Sequence, residues 1–248
     1  MSRDPRPAVE IIAHRGYSAQ APENTLAALD AAFAAGAQAV EFDLHTAACG
    51  TPVLFHDARL SRTTNGVGPL KRRTFRQLAG LDAGSWFSPD FEGEPVPSFA
   101  QALERCKGRV GRVYAEVKGF RELEDVDRMV ERVREAGMLE EVVFIAMNWT
   151  LLDRMRTQEP SLKIGYIVEE AERSDDALER AAGDPRAMLD YRASILLEDP
   201  SWVERAQEAG VALAVWTVDD PAEAERLFAL GIRRFTTNEV ERLLAWAG

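Results

Sequence analysis

The stretch Ala39-Val40-Glu41-Phe42-Asp43-Leu44-His45-Thr46-Ala47-Ala48-Cys49-Gly50-Thr51-Pro52-Val53-Leu54-Phe55-His56 decides how this chain folds. It holds two β-like runs, residues 39–43 and 52–56, with only the Ala47-Ala48-Cys49-Gly50 segment to turn between them. A parallel partner needs a crossover of about a dozen residues, so the second run doubles back on the first as a hairpin. Gly50 supplies the backbone freedom that the turn requires.

Outward from this hairpin the chain alternates. β-Branched runs at residues 10–13, 39–43, 112–118, 142–147, 163–168, 194–197, 212–217 and 232–237 predict eight strands. Amphipathic stretches at 24–35, 98–106, 126–136, 151–158, 202–209 and 222–230 predict helices between them. Asn24 is read as an N-cap, with Leu26, Leu29 and Phe33 on one apolar stripe and Gly36 past the end. This βα rhythm predicts a (β/α)8 barrel, a TIM barrel, and 248 residues is a common length for one. The hairpin run is a ninth strand above the barrel mouth. From residue 57 to about residue 97 glycines and prolines break the rhythm, so the expectation is one domain, 1–248, with an insertion after the second strand.

Composition narrows the function. Lys and Arg total 30 against 41 Asp and Glu, a net charge of −11, which opposes binding to a nucleic-acid backbone. No apolar stretch approaches the roughly 18 residues of a membrane span. The first seven residues carry no apolar signal segment, and Cys49 and Cys106 lack CxxC spacing, so a reduced cytoplasmic protein is expected. Oligomeric state is not legible.

Alternation along a strand places Glu41, Asp43 and His45 on one face, and Glu116 and Lys118 on another inward face. All lie at C-terminal strand ends, where barrel enzymes build their sites. Three converging carboxylates need protonation or neutralisation. Oxygen ligands suit a hard divalent cation such as Mg2+ or Ca2+; a structural ion network with Arg15 and Lys118 would serve as well. His14 ends the first strand and His56 precedes Asp57 where the hairpin returns, so the two can act as general base and general acid, or each is a satisfied core or surface imidazole. Arg15 and Lys118 offer fixed positive charge to an anionic group, or balance the carboxylates. Trp216 is either an apolar wall of the site or core. The run Lys71-Arg72-Arg73 either steers an anionic substrate or is a solvated face.

Together these residues resemble the glycerophosphodiester phosphodiesterase family. The resemblance runs through Ile12-Ala13-His14-Arg15-Gly16, Ala21-Pro22-Glu23-Asn24-Thr25, Glu41-Phe42-Asp43, Val53-Leu54-Phe55-His56-Asp57, Arg62-Thr63-Thr64-Asn65-Gly66, Glu116-Val117-Lys118, Gly165-Tyr166-Ile167 and Val215-Trp216-Thr217, in the family's order. It implies a barrel with an insertion after the second strand, and metal-dependent hydrolysis of a glycerophosphodiester to glycerol 3-phosphate and an alcohol. It implies His14 and His56 as the acid–base pair, Glu41, Asp43 and Glu116 as ligands of a divalent cation, Arg15 and Lys118 on the phosphate, and Trp216 on the alcohol side. Two places depart from the family pattern. The hairpin turn reads Ala48-Cys49-Gly50, and Thr237-Asn238-Glu239-Val240 has an amide where the family usually has an acid before a proline. Rival readings are a lysophospholipase D-type activity with Trp86, Phe87 and Phe91 as an apolar collar, a non-catalytic phosphodiester-binding protein, and a metal-dependent sugar isomerase on the same fold.

Overall fold

Eight parallel strands close on themselves in the computed structural model, which describes residues 8–248. In chain order the elements are β1 (Glu10–Ala13), α1 (Leu26–Ala35), β2 (Ala39–Thr46), β3 (Pro52–Leu54), α2 (Phe75–Leu78), α3 (Phe99–Cys106), β4 (Arg112–Val117), α4 (Leu123–Ala136), β5 (Val142–Ala146) and α5 (Trp149–Gln158). They continue with β6 (Lys163–Val168), α6 (Ser174–Ala181), β7 (Ala187–Arg192), α7 (Ala193–Glu198), α8 (Ser201–Glu208), β8 (Ala212–Trp216), α9 (Pro221–Ala229), β9 (Arg234–Thr237) and α10 (Val240–Ala247). Strand order runs β1-β9-β8-β7-β6-β5-β4-β2, and β1 pairs with β2 to complete the ring. This is the (β/α)8 barrel expected. The seven N-terminal residues, on which the reading of a missing signal segment rests, lie outside the described residues.

β3 pairs antiparallel with β2, His45 opposite Val53, so the hairpin forms as the short connection demands. One expected strand is wrong. Residues 194–197 are helical, within α7, and the sixth barrel strand is β7, residues 187–192, immediately before it. β7 hides because its outward residues, Leu189 and Tyr191, alternate with Met188 and the polar Asp190 on the inner face.

Period-two alternation sorts every strand. Outward residues such as Val40, Phe42, Val113, Ala115, Phe144 and Val215 join the large apolar layer beneath the helices. Inward residues stack in tiers. At the bottom Glu10 accepts from Arg112 at 2.9 Å and from Arg234 at 3.0 Å, and so plugs the barrel with a neutralised cluster. The middle tier is apolar: Ile12, Ala39, Tyr114, Val143, Ile145, Ile167, Met188 and Ala214. The top tier is polar, and it is where the site lies.

The insertion has its own apolar interior. Ala47, Val53, Phe55, Leu60, Leu70, Leu78, Ala83 and Val96 form a cluster separate from the barrel's layers. The rhythm resumes at α3, whose N-cap Ser98 exchanges hydrogen bonds with Gln101 in a capping box. No helix among the described residues is long and apolar enough to cross a membrane.

Candidate active site

The loop after β1 shapes one side of the mouth. Arg15 takes a left-handed conformation (φ 57°), which aims its amide N–H at Glu41 Oε2, 2.9 Å away. Gly16 follows at φ 78°, and a Cβ there would stand 2.6 Å from the backbone of Ala28 in α1. The close seat of this loop on the helix therefore needs glycine. Asn24 is not the N-cap of α1; Thr25 is, accepting from the Ala28 N–H. Asn24 instead turns, at φ 58°, to clamp Asp43: its Nδ2 donates to Asp43 Oδ2 at 2.7 Å, and its Oδ1 accepts from the Asp43 N–H at 2.9 Å.

Glu41, Asp43 and Glu116 converge as the alternation predicted. All three are buried, and one oxygen from each lies within 4.8 Å of the others. Glu41 Oε1 and Asp43 Oδ1 have no hydrogen-bond partner. Burial, then the charges of Asp43 and Glu116, pushes the Glu41 carboxyl well above its ordinary range. Burial and the Asp43 charge push Glu116 up to about 7. Asp43 goes the other way: burial opposes its charge, but Arg15 and Lys118 outweigh that and hold it below the usual range. Arg15 Nε stands 3.2 Å from Asp43 Oδ2, and Lys118 Nζ stands 2.7 Å from Glu116 Oε1 and 3.7 Å from Asp43 Oδ1. Two cations among three buried carboxylates leave a deficit of positive charge, and orphaned carboxylate oxygens are what a hard divalent cation would satisfy.

The two histidines are held by partners of different chemistry. His14 Nδ1 lies 2.8 Å from Asn238 Oδ1. The amide of Asn238 is oriented by Asp219, whose carboxylate accepts from Asn238 Nδ2 and from its N–H, both at 2.8 Å. With the amide oxygen turned to His14, Nδ1 must carry the proton, and Nε2 keeps its lone pair 3.9 Å from Glu41 Oε2. Burial, then the Arg15 charge, lowers His14 to about 4, so it is neutral. His56 Nδ1 instead stands 2.6 Å from Asp57 Oδ1. Arg62, then His56, holds Asp57 down at about 2. Arg62 also bridges to Glu23, which accepts from Arg15 at 2.8 Å, so the insertion is tied to the β1 loop.

His45 shares the strand face but not the cavity. Its Nε2 meets the His56 carbonyl at 3.0 Å, and its ring fills the space where a Cβ on Gly119 would collide. Burial lowers its basicity.

A cavity of about 190 Å³ opens among these groups, lined by His14, Arg15, Glu41, His56, Glu116 and Lys118. Ile145, Met147, Ile167, Glu169, Asp190, Trp216, Thr217 and Thr236 complete its lining. The structure thus gathers His14, His56, Arg15, Lys118, Trp216, Glu41 and Glu116 around one space, with Asp43 just behind. Trp86, Phe87 and Phe91 are not among its lining; they stack edge to face on one another in the insertion. Sequence reasoning missed Asn24, Asp57, Arg62, Asp190, Asp219 and Asn238. Asn24, Asp57 and Arg62 stood inside quoted motifs and Asn238 at a departure from the family pattern, which was the available signal.

Comparison with known proteins finds relatives over nearly the whole chain. The sequence profile of the Glycerophosphoryl diester phosphodiesterase family matches residues 14–242. A glycerophosphodiester phosphodiesterase of Caldanaerobacter subterraneus subsp. tengcongensis is 31% identical over 240 residues, 94% of this chain and 96% of that protein. An Oleispira antarctica phosphodiesterase solved with the product sn-glycerol-3-phosphate superposes with a TM-score of 0.87, at 29% identity and 96% coverage of both chains. A glycerophosphodiester phosphodiesterase from Agrobacterium tumefaciens gives a TM-score of 0.82 at 27% identity, covering 96% of this chain and 99% of that one.

Proposed function

The chain belongs to the glycerophosphoryl diester phosphodiesterase family, and on that premise we propose that it cleaves a glycerophosphodiester into glycerol 3-phosphate and an alcohol, with His14 as base and His56 as acid. The observation that carries this reading is the unequal backing of two imidazoles on one cavity. An amide oxygen stands behind His14 and an ionised carboxylate behind His56. Groups whose surroundings differ in this way divide acid and base work between them.

His14, neutral and with Nε2 unprotonated, takes the proton of the attacking oxygen: that of water, which gives glycerol 3-phosphate directly, or that of a neighbouring substrate hydroxyl, which gives a cyclic phosphate that water then opens with the two histidines exchanging roles. His56, its Nδ1 proton held by Asp57, gives the Nε2 proton to the departing alcohol. Arg15 and Lys118 bind the phosphate; the Lys118 ammonium has three donors, of which Glu116 and Asp43 occupy at most two. Trp216 lines the alcohol side. Glu41, Asp43 and Glu116 would hold a divalent cation, Mg2+ or Ca2+, which when bound supplies charge neutralisation and polarises the phosphoryl oxygens. Cytoplasmic residence is proposed with it, and both cysteines are free.

The test is release of glycerol 3-phosphate from glycerophosphocholine, glycerophosphoethanolamine and glycerophosphoglycerol with added Mg2+ or Ca2+, beside lysophosphatidylcholine. Turnover of the water-soluble diesters is expected. Choline release from lysophosphatidylcholine alone, or binding of the diesters without turnover, would replace the reading.

A further inference from the structure

Asp190 is a carboxyl group that the acid–base machinery does not use. It is 4% exposed, projects inward from β7, and lines the cavity together with Arg15 and Lys118; in the closed ring β7 stands three strands from β1, which precedes Arg15, and three from β4, which precedes Lys118. Its register neighbours on the same inner face are Ile167 on β6 and Ala214 on β8, neither able to hydrogen-bond through its side chain. Oδ1 is buried without a partner, and among the described residues Asp190 forms no ion pair. The cation cluster does not include it. Its backbone carbonyl accepts from the indole N–H of Trp216 at 3.2 Å, which fixes the strand end beside the cavity.

A buried polar group without a partner destabilises the fold, and such groups persist where a ligand completes them. We propose that Asp190 is a substrate-binding residue that recognises an uncharged hydroxyl group of the diester, across the cavity from the phosphate. The inference rests on the phosphodiesterase reading and names a specificity contact within it. A hydroxyl is the complementary partner because it donates and accepts at once. Burial, then the charge of Glu116, lifts Asp190 to about 8, so near neutrality it too presents one donor and one acceptor.

Two sources carry such hydroxyls, the glyceryl group and a polyol alcohol. The wild type, Asp190→Asn, Asp190→Ala and Asp190→Val are compared as folded proteins with the cation present. Binding of glycerol 3-phosphate is measured against n-propyl phosphate, which keeps the phosphate and lacks the hydroxyls. Turnover is measured on glycerophosphodiesters bearing glycerol, inositol and ethyl alcohol groups. If the glyceryl hydroxyl is read, Ala and Val weaken glycerol 3-phosphate roughly tenfold and leave propyl phosphate unchanged. They then lower kcat/KM on every diester alike. If the alcohol is read, only the glycerol and inositol diesters lose kcat/KM, by a similar factor. Asn, neutral and able to donate and accept, retains most of either preference. Equal loss for all phosphate ligands, or no loss for any, overturns the assignment while the enzyme remains active. If neither Ala nor Val folds, wild-type affinities already decide: equal binding of glycerol 3-phosphate and propyl phosphate, with no preference among alcohols, overturns it. A wild type inactive on all diesters removes the functional reading, and Asp190 with it.

Discussion

His14 and Asn238, 224 residues apart in sequence, are joined by a 2.8 Å contact between Nδ1 and an amide oxygen. Asp219 holds the far end of that amide, so the tautomer of His14 is set two residues away from the imidazole. Exchanging the two partners tests this. In the double variant Asn238→Asp, Asp219→Asn the hydrogen bonds survive but a carboxylate now faces His14. Its basicity then rises from about 4 toward the ordinary histidine range, and the acid limb of kcat/KM moves to higher pH. Asn238→Ala, which releases the tautomer, lowers kcat by roughly ten- to a hundredfold within the range of general-base contributions. An unmoved pH profile in the double variant would show that Asn238 does not govern His14.

Folding stability carries the same signature. His14 is lowered in the folded chain to about 4 by burial, then by Arg15, from an ordinary 6.5. Its contribution is complete above 6.5 and is lost as pH falls toward 4, because the unfolded chain takes up the proton first. Between pH 7 and 5 that loss is about 2 kcal/mol. Glu41 and Glu116, raised by burial, work in the opposite sense. Subtracting urea-unfolding curves of His14→Gln from those of the parent, both in excess chelator, isolates the histidine; identical pH slopes would contradict it.

Divalent cations should stabilise the protein. At a concentration one hundred times Kd the gain is about 2.7 kcal/mol, read as a rise in Tm. Asp43→Asn and Glu116→Gln should each blunt the rise, and the charge deficit among three buried carboxylates is the reason. Equal Tm with Mg2+, with Ca2+ and with chelator would dismiss the cation.

The three histidines should separate by function. His14→Ala and His56→Ala each lose at least about 100-fold in kcat, as removal of an acid or base does. His45→Gln stays within about tenfold of the parent, since a glutamine amide can replace the donation to the His56 carbonyl. Steady-state kinetics on folded variants checks all three. Comparable inactivity of His45→Gln would reopen the assignment.

Much of this was legible in the sequence where contacts are local. The five-residue link between β2 and β3 forbids a parallel partner, and alternation puts Glu41 with Asp43 on one strand face and Glu116 with Lys118 on a face of another. Long-range pairings left no periodic trace. Asn24 reads as a helix cap because asparagine favours caps; only the fold brings it to Asp43, and the neighbouring Thr25 caps instead. Asp190 was invisible because its strand was. An acid on the inner face breaks the apolar run that marks a barrel strand, and the richer Ile195-Leu196-Leu197 sequence beside it drew the assignment into α7. The polar residue that disguised the strand is the one that faces the cavity.

The separate apolar cluster of the insertion bears on how the enzyme fails with heat. His56, Asp57 and Arg62 ride on that small interior, whereas His14 and the carboxylates ride on the barrel. Beyond the β2–β3 ladder and the His45 contact with the His56 carbonyl, what aligns the two is an arginine clamp on Glu23, at 2.7 and 2.8 Å. Small units with few buried contacts open at lower free energy than the body they rest on. Heating should therefore silence turnover several degrees before the barrel melts, and cooling should restore it, as a reversible loss of alignment between two intact parts.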